Sequence, residues 1–292
     1  MISVIIPAHN EEAVIGRLLE SLTSGAQPGE LEIIVVANGC QDRTAEVARE
    51  FAASLLVIET EVGSKVHALN LGDQAASGFP RFYVDADVVL TLDSLRCLAR
   101  RLAAGHVLAI APRFRMSLEG CSRFVRAFYA VNDRMPSSRE GIGGSGVYGM
   151  SEEGRKRFGE FPSLTADDGF VRVQFQPHER ATLEDCHSIV FAPKTLRGLV
   201  QIKTRSHFGS LQLRQRLPHL WINRGEGNGA ALKRLALRPW WWPRLVVYAY
   251  VKLEARRRAR KLLHKQQDAA WERDNTSRGI ATATTAVHAA VQ

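Results

Sequence analysis

The chain has 292 residues, of which 45% are hydrophobic, and its formal net charge at pH 7 is +9. This hydrophobic fraction argues against global disorder, and the length suits one large α/β domain or two small ones. A basic protein favours anionic partners, which leaves nucleic acid, an anionic membrane surface and a phosphorylated ligand open. The charge is densest at 256–261, which indicates a local basic surface.

The N-terminal segment and the cysteines indicate in which cellular compartment the protein is expected. The first residues enter an apolar segment without a basic leader, so no signal peptide is expected, and no apolar run is long enough for a transmembrane helix. Four cysteines without CxxC spacing are too few for a disulfide scaffold, which favours a reducing cytoplasm. We therefore expect a cytoplasmic protein, with peripheral contact at the inner face of the membrane left open.

Short apolar runs alternate with segments of helical periodicity in the first part of the chain. Strands are predicted at 3–6, 33–36, 55–58 and 81–84, and helices at 10–23 (capped by Asn10), from 42 or 44 to about 53, and 65–76. Strands that are apolar on both faces and separated by helices indicate an α/β fold, a mostly parallel, Rossmann-like sheet flanked by helices.

The pattern weakens in the second part of the chain. A helix at 92–104 and a strand at 107–111 are followed by an irregular region up to residue 149. Beyond it we predict a short helix at 151–158, a helix-like segment at 170–175, one or two strands within 181–192, and a basic helical region from 194 to about 271.

Polar clusters follow three predicted strands, at 8–11, 37–39 and 85–87. In parallel sheets, ligands bind beyond the carboxyl ends of the strands. Asp85 and Asp87 form an Asp-x-Asp motif whose carboxylates can share one Mg²⁺ or Mn²⁺ ion. An isolated pair of this kind is more often a turn former or helix cap. Its position beside two other polar strand ends favours the metal site.

Four short motifs follow one another within the first 90 residues. They are Val4–Glu12, then Asn38-Gly39 with Asp42 and Thr44, then Gly63-Ser64-Lys65 with Ala68-Leu69-Asn70 and Gly72, and Asp85-Ala86-Asp87. In these motifs the chain resembles family 2 glycosyltransferases, which have the A-type glycosyltransferase fold. The resemblance implies a hexosyltransferase-like enzyme that transfers a sugar from a nucleoside-diphosphate donor to an acceptor hydroxyl. It also implies Mn²⁺ or Mg²⁺ as the cofactor and a role in polysaccharide or glycoconjugate synthesis.

The resemblance also implies a division of the chain. Residues 1–110 would be the nucleotide-sugar-binding half of an α/β domain and 111–210 its acceptor-binding and catalytic half. The charge and helical pattern of the sequence predict a helical, basic C-terminal extension at 211–275, and the small, polar-leaning residues of 276–292 predict a disordered tail.

Specific residues receive roles from the resemblance. Donor binding would involve Pro7, Ala8, Asn10, Glu11, Asn38, Lys65, Asp85, Ala86 and Arg205. Asp87 would bind the metal that bridges the diphosphate, and Asp85 would touch the ribose or the metal. The family usually has an aspartate in place of Asn38, which leaves the nucleotide open. The alternative roles are structural: Pro7 ends a strand, Asn10 caps a helix and Lys65 is a solvated helix residue.

Asp167-Asp168 resembles the acidic pair found at this position in the family. Asp168 is the predicted base of an inverting transfer, because an acceptor hydroxyl needs a carboxylate to take its proton. Asp167 is predicted to bind the acceptor together with glycine-loop residues Gly143, Gly144 and Ser145. The alternatives are a helix N-cap and an ordinary surface loop.

Arg205-Ser206-His207 resembles a late Arg-x-His motif of several glycosyltransferases of this fold. There the histidine completes the metal shell and the arginine contacts the diphosphate, so the predicted metal ligands are Asp87, Asp85 and His207. His178 and His187 are competing candidates. The motif also resembles retaining enzymes such as glucosyl-3-phosphoglycerate synthases, so the stereochemistry stays open.

The segment 240–261 combines three tryptophans, further apolar residues and an arginine run, which is typical of a membrane-interface element. A helix packed on the domain with one solvated basic face is the alternative. Nucleic acid is not expected as a partner, because no recognised binding module accompanies the charge. Two other classes remain: a nucleotidyltransferase, disfavoured by the acidic segment 8–12, and a non-catalytic membrane-surface protein that binds nucleotide sugars.

Overall fold

A computed structural model describes residues 1–51, 55–139, 142–225 and 227–264. Within them lie eight strands: β1 (Ile2–Ala8), β2 (Leu31–Asn38), β3 (Leu55–Thr60), β4 (Arg81–Val84), β5 (Val89–Leu90), β6 (Ala109–Ser117), β7 (Val147–Met150) and β8 (Arg180–Phe191). The described α-helices are α1 (Ile15–Thr23), α2 (Thr44–Arg49), α3 (Lys65–Ala75), α4 (Leu92–Ala103), α5 (Arg123–Asn132), α6 (Glu152–Arg155), α7 (Asp167–Gln174), α8 (Leu196–Arg216), α9 (Gly229–Ala236) and α10 (Trp242–His264).

The strands form one sheet in the order β3-β2-β1-β4-β7-β6-β8-β5. The first four strands of this order are parallel, as the sequence predicts. β7 runs antiparallel to both of its neighbours, and β5 runs antiparallel to β8. The sheet is therefore mixed beyond β4. The predicted boundary at residue 110 falls inside β6, so the two predicted halves share this sheet.

Helices cover both faces of the sheet because successive β1 side chains point to opposite sides. Val4 and Ile6 pack in one buried cluster with apolar residues of α1 and α4. Ile5 packs in a second cluster on the other face, with residues of α3 and α7 such as Leu69 and Phe170. The continuous apolar run of β1 is thus explained by burial on both sides.

The predicted start of the first helix is wrong. Asn10 has a left-handed backbone (φ 51°), and α1 begins five positions later at Ile15 without a side-chain cap. The preceding loop is tied to the end of β2 instead. Asn10 Oδ1 accepts a hydrogen bond from the Gln41 N–H (2.6 Å), and the Glu11 N–H donates to Thr44 Oγ1 (2.7 Å).

A disulfide joins Cys97 on α4 to Cys186 on β8. The sequence prediction considered only CxxC pairs and multiply bridged scaffolds, and therefore missed a pair separated by 89 residues. Disulfides persist mainly in oxidising environments, so the cysteines no longer support the predicted reducing cytoplasm.

The basic C-terminal part is helical, as predicted. α10 packs on α8 and α5 around a third apolar cluster that includes Phe128, Leu199 and Val251. Among the described residues, no helix combines the length and hydrophobicity needed to cross a bilayer. The end of the predicted extension (265–275) and the predicted tail (276–292) lie outside the described residues.

Candidate active site

Lys65 joins two carboxylates that are far apart in the sequence. Its Nζ lies 2.7 Å from Asp85 Oδ1, just beyond β4, and 3.0 Å from Asp167 Oδ1, in the first turn of α7. β1, β2 and β4 are parallel neighbours, so their carboxyl ends meet at the edge of the sheet where this cluster lies. We call Lys65, Asp85, Asp87, Asp167 and Asp168 the strand-end cluster.

The backbone at Gly39 and Gly63 places Lys65. Gly39 has a left-handed φ of +57°, and a Cβ there would lie 2.8 Å from the Cα of Gly63. Only glycine allows this close approach of the end of β2 to the start of α3. Ser64 then caps α3 by accepting a hydrogen bond from the His67 N–H, which places Lys65 at the first helical position.

Charges in the strand-end cluster are strongly coupled. Burial raises the pKa of Asp85 to about 6; Lys65 opposes this shift, and the negative charges of Asp167 and Asp87 add to it. Burial lowers the pKa of Lys65, but Asp167 and Asp85 outweigh it, so the pKa lies above its ordinary value. Lys65 therefore stays charged and offsets part of the carboxylate repulsion.

Arg17, which no sequence motif indicated, approaches Asp87 from α1. Its guanidinium donates to the Asp87 carbonyl (3.3 Å) and lies over the Phe191 ring (4.2 Å to the centroid). Burial lowers the pKa of Arg17, and the Asp87 charge raises it. Arginine at helical spacing on α1 is an ordinary surface pattern, so only the fold reveals this contact.

Asp167 and Asp168 differ in their surroundings. Asp167 is 6% exposed; one of its oxygens pairs with Lys65, and the other accepts from the Tyr148 hydroxyl (3.2 Å). Asp168 is half-buried, and its two oxygens accept from the Gly144 N–H (3.1 Å) and the Gly169 N–H (2.6 Å). Tyr148 was also absent from the predicted site.

The glycine loop before β7 supports Asp85. The Asp85 N–H donates to the Gly146 carbonyl (2.7 Å). Gly146 has a φ of +64°, and a Cβ there would lie 2.4 Å from a Val88 methyl group, so the position requires glycine. Gly143 lies near Asp168, while Ser145 is buried and its hydroxyl donates to the Val147 carbonyl.

The predicted nucleoside pocket lies at the ends of β1 and β2. Pro7 and Ala8 are buried beside their β2 partners, and Glu11 is only 7% exposed. Asn38 is fully buried; its amide group donates to the Ala8 carbonyl (2.8 Å) and so links the two strands. Asn38 Oδ1 is buried and accepts no hydrogen bond within the described part of the chain.

The structure does not bring Arg205 and His207 to the carboxylates as predicted. Both lie on α8; Arg205 is exposed, and His207 faces the positive charges of Lys252, Arg256 and Lys203. In the described ranges, no group of three His, Cys, Asp or Glu side chains is placed to hold a metal. The predicted triad of Asp87, Asp85 and His207 is therefore not assembled, because His207 lies on the face of α8 that packs against α10.

A model of the family described as Glycosyl transferase family 2 matches residues 3–141. Residues 3–141 thus resemble a family 2 glycosyltransferase domain, over slightly less than half of the chain. This range contains all four motifs on which the resemblance was based. The rest of the strand-end cluster, Asp167 and Asp168, lies beyond it.

Two curated glycosyltransferases align with parts of the chain. Glycosyltransferase AglE of Haloferax volcanii is 37% identical over 91 residues, which are 30% of this chain and 30% of its own. The 4,4'-diaponeurosporenoate glycosyltransferase of Staphylococcus aureus is 30% identical over 172 residues, 56% of this chain and 43% of its own. The chain thus spans less than half the length of either relative.

A solved structure is similar over nearly the whole chain. It is the mannosyltransferase PcManGT from Pyrobaculum calidifontis in complex with GDP-Man and Mn²⁺, with a TM-score of 0.60 and 23% identity, covering 99% of this chain and 79% of that chain. This likeness shows the A-type glycosyltransferase fold and confirms the predicted fold class.

The glycosyltransferase domain offers hard oxygen ligands for a divalent cation. Asp85 and Asp87 are both partly exposed at the end of β4. Mg²⁺ typically takes one or two protein carboxylates and fills its remaining positions with water and substrate phosphates, so the pair is a sufficient donor set. Asp85 already contacts Lys65, which leaves Asp87 as the principal candidate ligand.

Proposed function

We propose that the protein transfers a glycosyl group from a nucleoside-diphosphate sugar to an acceptor hydroxyl, with Mn²⁺ or Mg²⁺ and with inversion at the anomeric carbon. The strand-end cluster carries this proposal, because Lys65 joins the carboxylate after β4 to the acidic pair of α7. PcManGT, which has the same fold, was solved with GDP-Man and Mn²⁺, and this supports the same classes of donor and metal here.

The donor end of the site lies at β1, β2 and β4. Asp87, with Asp85, would hold the cation, which neutralises charge on the leaving diphosphate when bound. Pro7, Ala8, Asn10, Glu11 and Asn38 would shape the nucleoside pocket, with Ala86 and Lys65 beside it. Lys65 limits repulsion between Asp85 and Asp167, so the donor and acceptor ends can lie close together.

Asp168 is the better base of the acidic pair. Asp167 is buried and its two oxygens are engaged by Lys65 and Tyr148. Asp168 is oriented by two backbone N–H groups, one on each oxygen, and lone pairs remain for an acceptor hydroxyl. In the transfer, Asp168 takes the hydroxyl proton as the acceptor oxygen bonds to the anomeric carbon and the bond from that carbon to the diphosphate oxygen breaks.

Retention of configuration is less well supported. The argument for it rested on Arg205 and His207, and α8 places His207 among cations rather than with Asp85 and Asp87. A non-catalytic binding protein is also less well supported, because a positioned Asp168 has no role in it.

The acceptor and location remain proposals as well. The surface of α10 and the turn before it exposes five large apolar residues beside an arginine run, namely Trp240, Trp242, Val246, Tyr250 and Leu253. Trp242, Val246 and Tyr250 are spaced four residues apart and share one helix face. We infer peripheral contact with an anionic membrane through residues 240–261 and a role in polysaccharide or glycoconjugate synthesis.

The proposed function is tested with a panel of UDP- and GDP-sugars. The purified chain is incubated with each donor and Mn²⁺, with and without EDTA, and nucleoside diphosphate release is measured. We expect Mn²⁺-dependent release with one donor class, and an inverted anomer by NMR when an alcohol acceptor is added. A retained anomer would contradict Asp168 as the base. EDTA-insensitive turnover would contradict the metal assignment.

A further inference from the structure

Two pairs of basic residues face each other between α8 and α10. Lys203 and His207 are four residues apart on α8, and Lys252 and Arg256 are four residues apart on α10, so each pair lies on one helix face. α8 and α10 pack against each other, and the Phe128 ring beside Lys203 stacks on the Tyr248 ring beside Lys252, with 5.1 Å between the ring centroids. The two pairs therefore lie together, and the charges of Lys252, Arg256 and Lys203 lower the pKa of His207. We call these four residues the α8–α10 cation cluster.

Aromatic rings line the cluster. Lys203 Nζ lies 5.7 Å from the ring centroids of both Phe128 and Tyr129 on α5. Lys252 Nζ lies 5.6 Å from the ring centroid of Tyr248. Cation–π contacts of this kind offset only part of the cost of removing an ammonium group from water.

The cluster has no anionic partner of its own. Arg257 and Arg258, close by on α10, pair with Glu254. Across the described ranges, by contrast, no ion pair involves any of the four cluster residues, and His207 Nε2 is buried without a hydrogen-bond partner. Lys203 and Lys252 are half-buried, and Arg256 beside them is exposed. Half-buried ammonium groups held together without a counter-ion reduce stability, and proteins retain such arrangements mainly at functional sites.

The electrostatics agree with this geometry. Burial, together with the charges of Lys203 and Arg256, lowers the pKa of Lys252 to about 8. Burial also lowers the pKa of Lys203 to about 8, against the attraction of Asp168. An oxyanion entering between the helices would relieve this repulsion and supply the missing hydrogen-bond acceptors.

The packing of α7 on α8 places the cluster on the acceptor side of the site. Ala166, two residues before Asp168, lies against Gly209 of α8, where an added Cβ would be 2.7 Å from the Ala166 Cβ. His207 is two residues from Gly209, so the cluster lies near the proposed base, whose charge raises the pKa of Lys203. The proposed donor ligands, Asp85 and Asp87, follow β4 instead. We propose that the α8–α10 cation cluster binds an oxyanion, a phosphate or carboxylate, carried by the acceptor; the acceptor assignment rests on the proposed function.

The first test measures binding of inorganic phosphate and acetate to the full chain by calorimetry and thermal shift. The double variant Lys203→Met with Lys252→Met keeps the apolar stems and removes both charges. We expect saturable binding to the wild type and a loss of at least about tenfold in the double variant, as for removal of charge-assisted hydrogen bonds. Arg214→Gln, on an exposed position of α8, is the matched control and should bind like the wild type.

Stability separates a binding role from a structural one. Without phosphate, the double variant should melt at the same temperature as the wild type or higher, because it lacks the repulsion. A lower melting temperature with unchanged phosphate affinity would overturn the proposal, as would the absence of saturable binding to the wild type. Saturating UDP or GDP with Mn²⁺ should leave phosphate affinity unchanged; direct competition would overturn the acceptor assignment.

Vesicles distinguish the source of the anion. If a lipid carries it, the double variant should lose the phosphatidic-acid-dependent part of its binding to phosphatidylcholine vesicles, whereas Arg214→Gln, outside residues 240–261, retains it. Unchanged vesicle binding together with lost phosphate binding assigns the cluster to a soluble anion. Nucleotide binding is measured separately in every variant, so a failure of the donor site is distinguishable from a failure of the cluster.

Discussion

At the carboxyl ends of the strands, Lys65 lies within 3.0 Å of Asp85 and Asp167. Between α8 and α10, Lys203 and Lys252 lie instead over aromatic rings, at 5.7 and 5.6 Å from the ring centroids. The first region balances much of its charge internally, whereas the second holds cations that repel one another. The difference fits the two roles proposed above: a preformed catalytic centre, and an anion-binding region that gains stability when its anion binds.

The largest expected effect separates the two acidic residues of α7. Asp168→Asn should lower transfer roughly 10²- to 10⁴-fold, the contribution typical of a general base, while Mn²⁺-dependent donor binding persists. Steady-state kinetics and calorimetry with the active donor measure both. Asp167→Asn is the contrasting variant, because it breaks the buried ion pair with Lys65 and should also lower the melting temperature. Unchanged turnover in Asp168→Asn would remove it as the base.

Charge balance in the strand-end cluster is tested at Lys65, whose side chain is 24% exposed. Lys65→Met leaves two neighbouring carboxylates without their shared cation, and the free energy of unfolding should fall by about 2 kcal/mol after allowance for solvent screening. Lys156→Met removes an exposed i,i+4 ion pair with Glu152 and should cost below about 0.5 kcal/mol. Equal losses in urea denaturation would show that Lys65 is an ordinary surface lysine.

The pH dependence of stability tests Asp85. Its pKa rises from 3.8 to about 6 on folding, so its contribution to stability is present below pH 3.8 and is lost as the pH rises through about 6. In EDTA at pH 7.5, Asp85→Asn should therefore be more stable than the wild type. Because the side chain is 38% exposed, the gain should be only about 1 kcal/mol.

The advantage of Asp85→Asn should shrink as the pH falls from 6 toward 4, as measured by urea denaturation at each pH. Asp93→Asn, at an exposed position of α4, is the control. A constant difference between Asp85→Asn and the wild type over this range would contradict the coupling.

The smallest effect concerns the exposed face of α10. Val246→Ser should weaken partitioning onto phosphatidylglycerol vesicles about threefold, because one partly inserted valine contributes a small part of the binding energy. Co-sedimentation measures this effect. Leu56→Ser, on edge strand β3, should leave binding unchanged. Equal effects of the two variants would show that residues 240–261 are not the membrane contact.

The parallel half of the sheet was predictable because its strands are buried on both faces. The run at 33–36 is apolar throughout, 82–84 is Phe-Tyr-Val, and polar residues follow at Asn38 and Asp85. β7 was missed because it has only four residues and depends on pairing with β4 and β6. The offset start of α1 depends on hydrogen bonds of Asn10 and Glu11 to a neighbouring loop, which no local pattern contains.

The site residues show the same contrast: local sequence motifs marked the residues, whereas their contacts depend on the packing of distant segments. The motif around Asp85 was read correctly as a strand end, and the acidic pair was found as a motif. The contacts of Asp167 with Lys65 and Tyr148 depend on how α7 packs against β7. His207 matched a motif, yet α8 directs it toward α10. A short motif identifies residue types, whereas the packing of the helix that carries the motif decides which site its side chains reach.

Calorimetric titration of the active nucleoside diphosphate into the wild type and Asp87→Asn, with Mn²⁺ and with EDTA, tests the central claim most directly. We predict Mn²⁺-dependent binding to the wild type and its loss in Asp87→Asn, with Asp93→Asn behaving like the wild type and all three proteins melting alike without ligand. Equal Mn²⁺-dependent binding by Asp87→Asn would contradict the account.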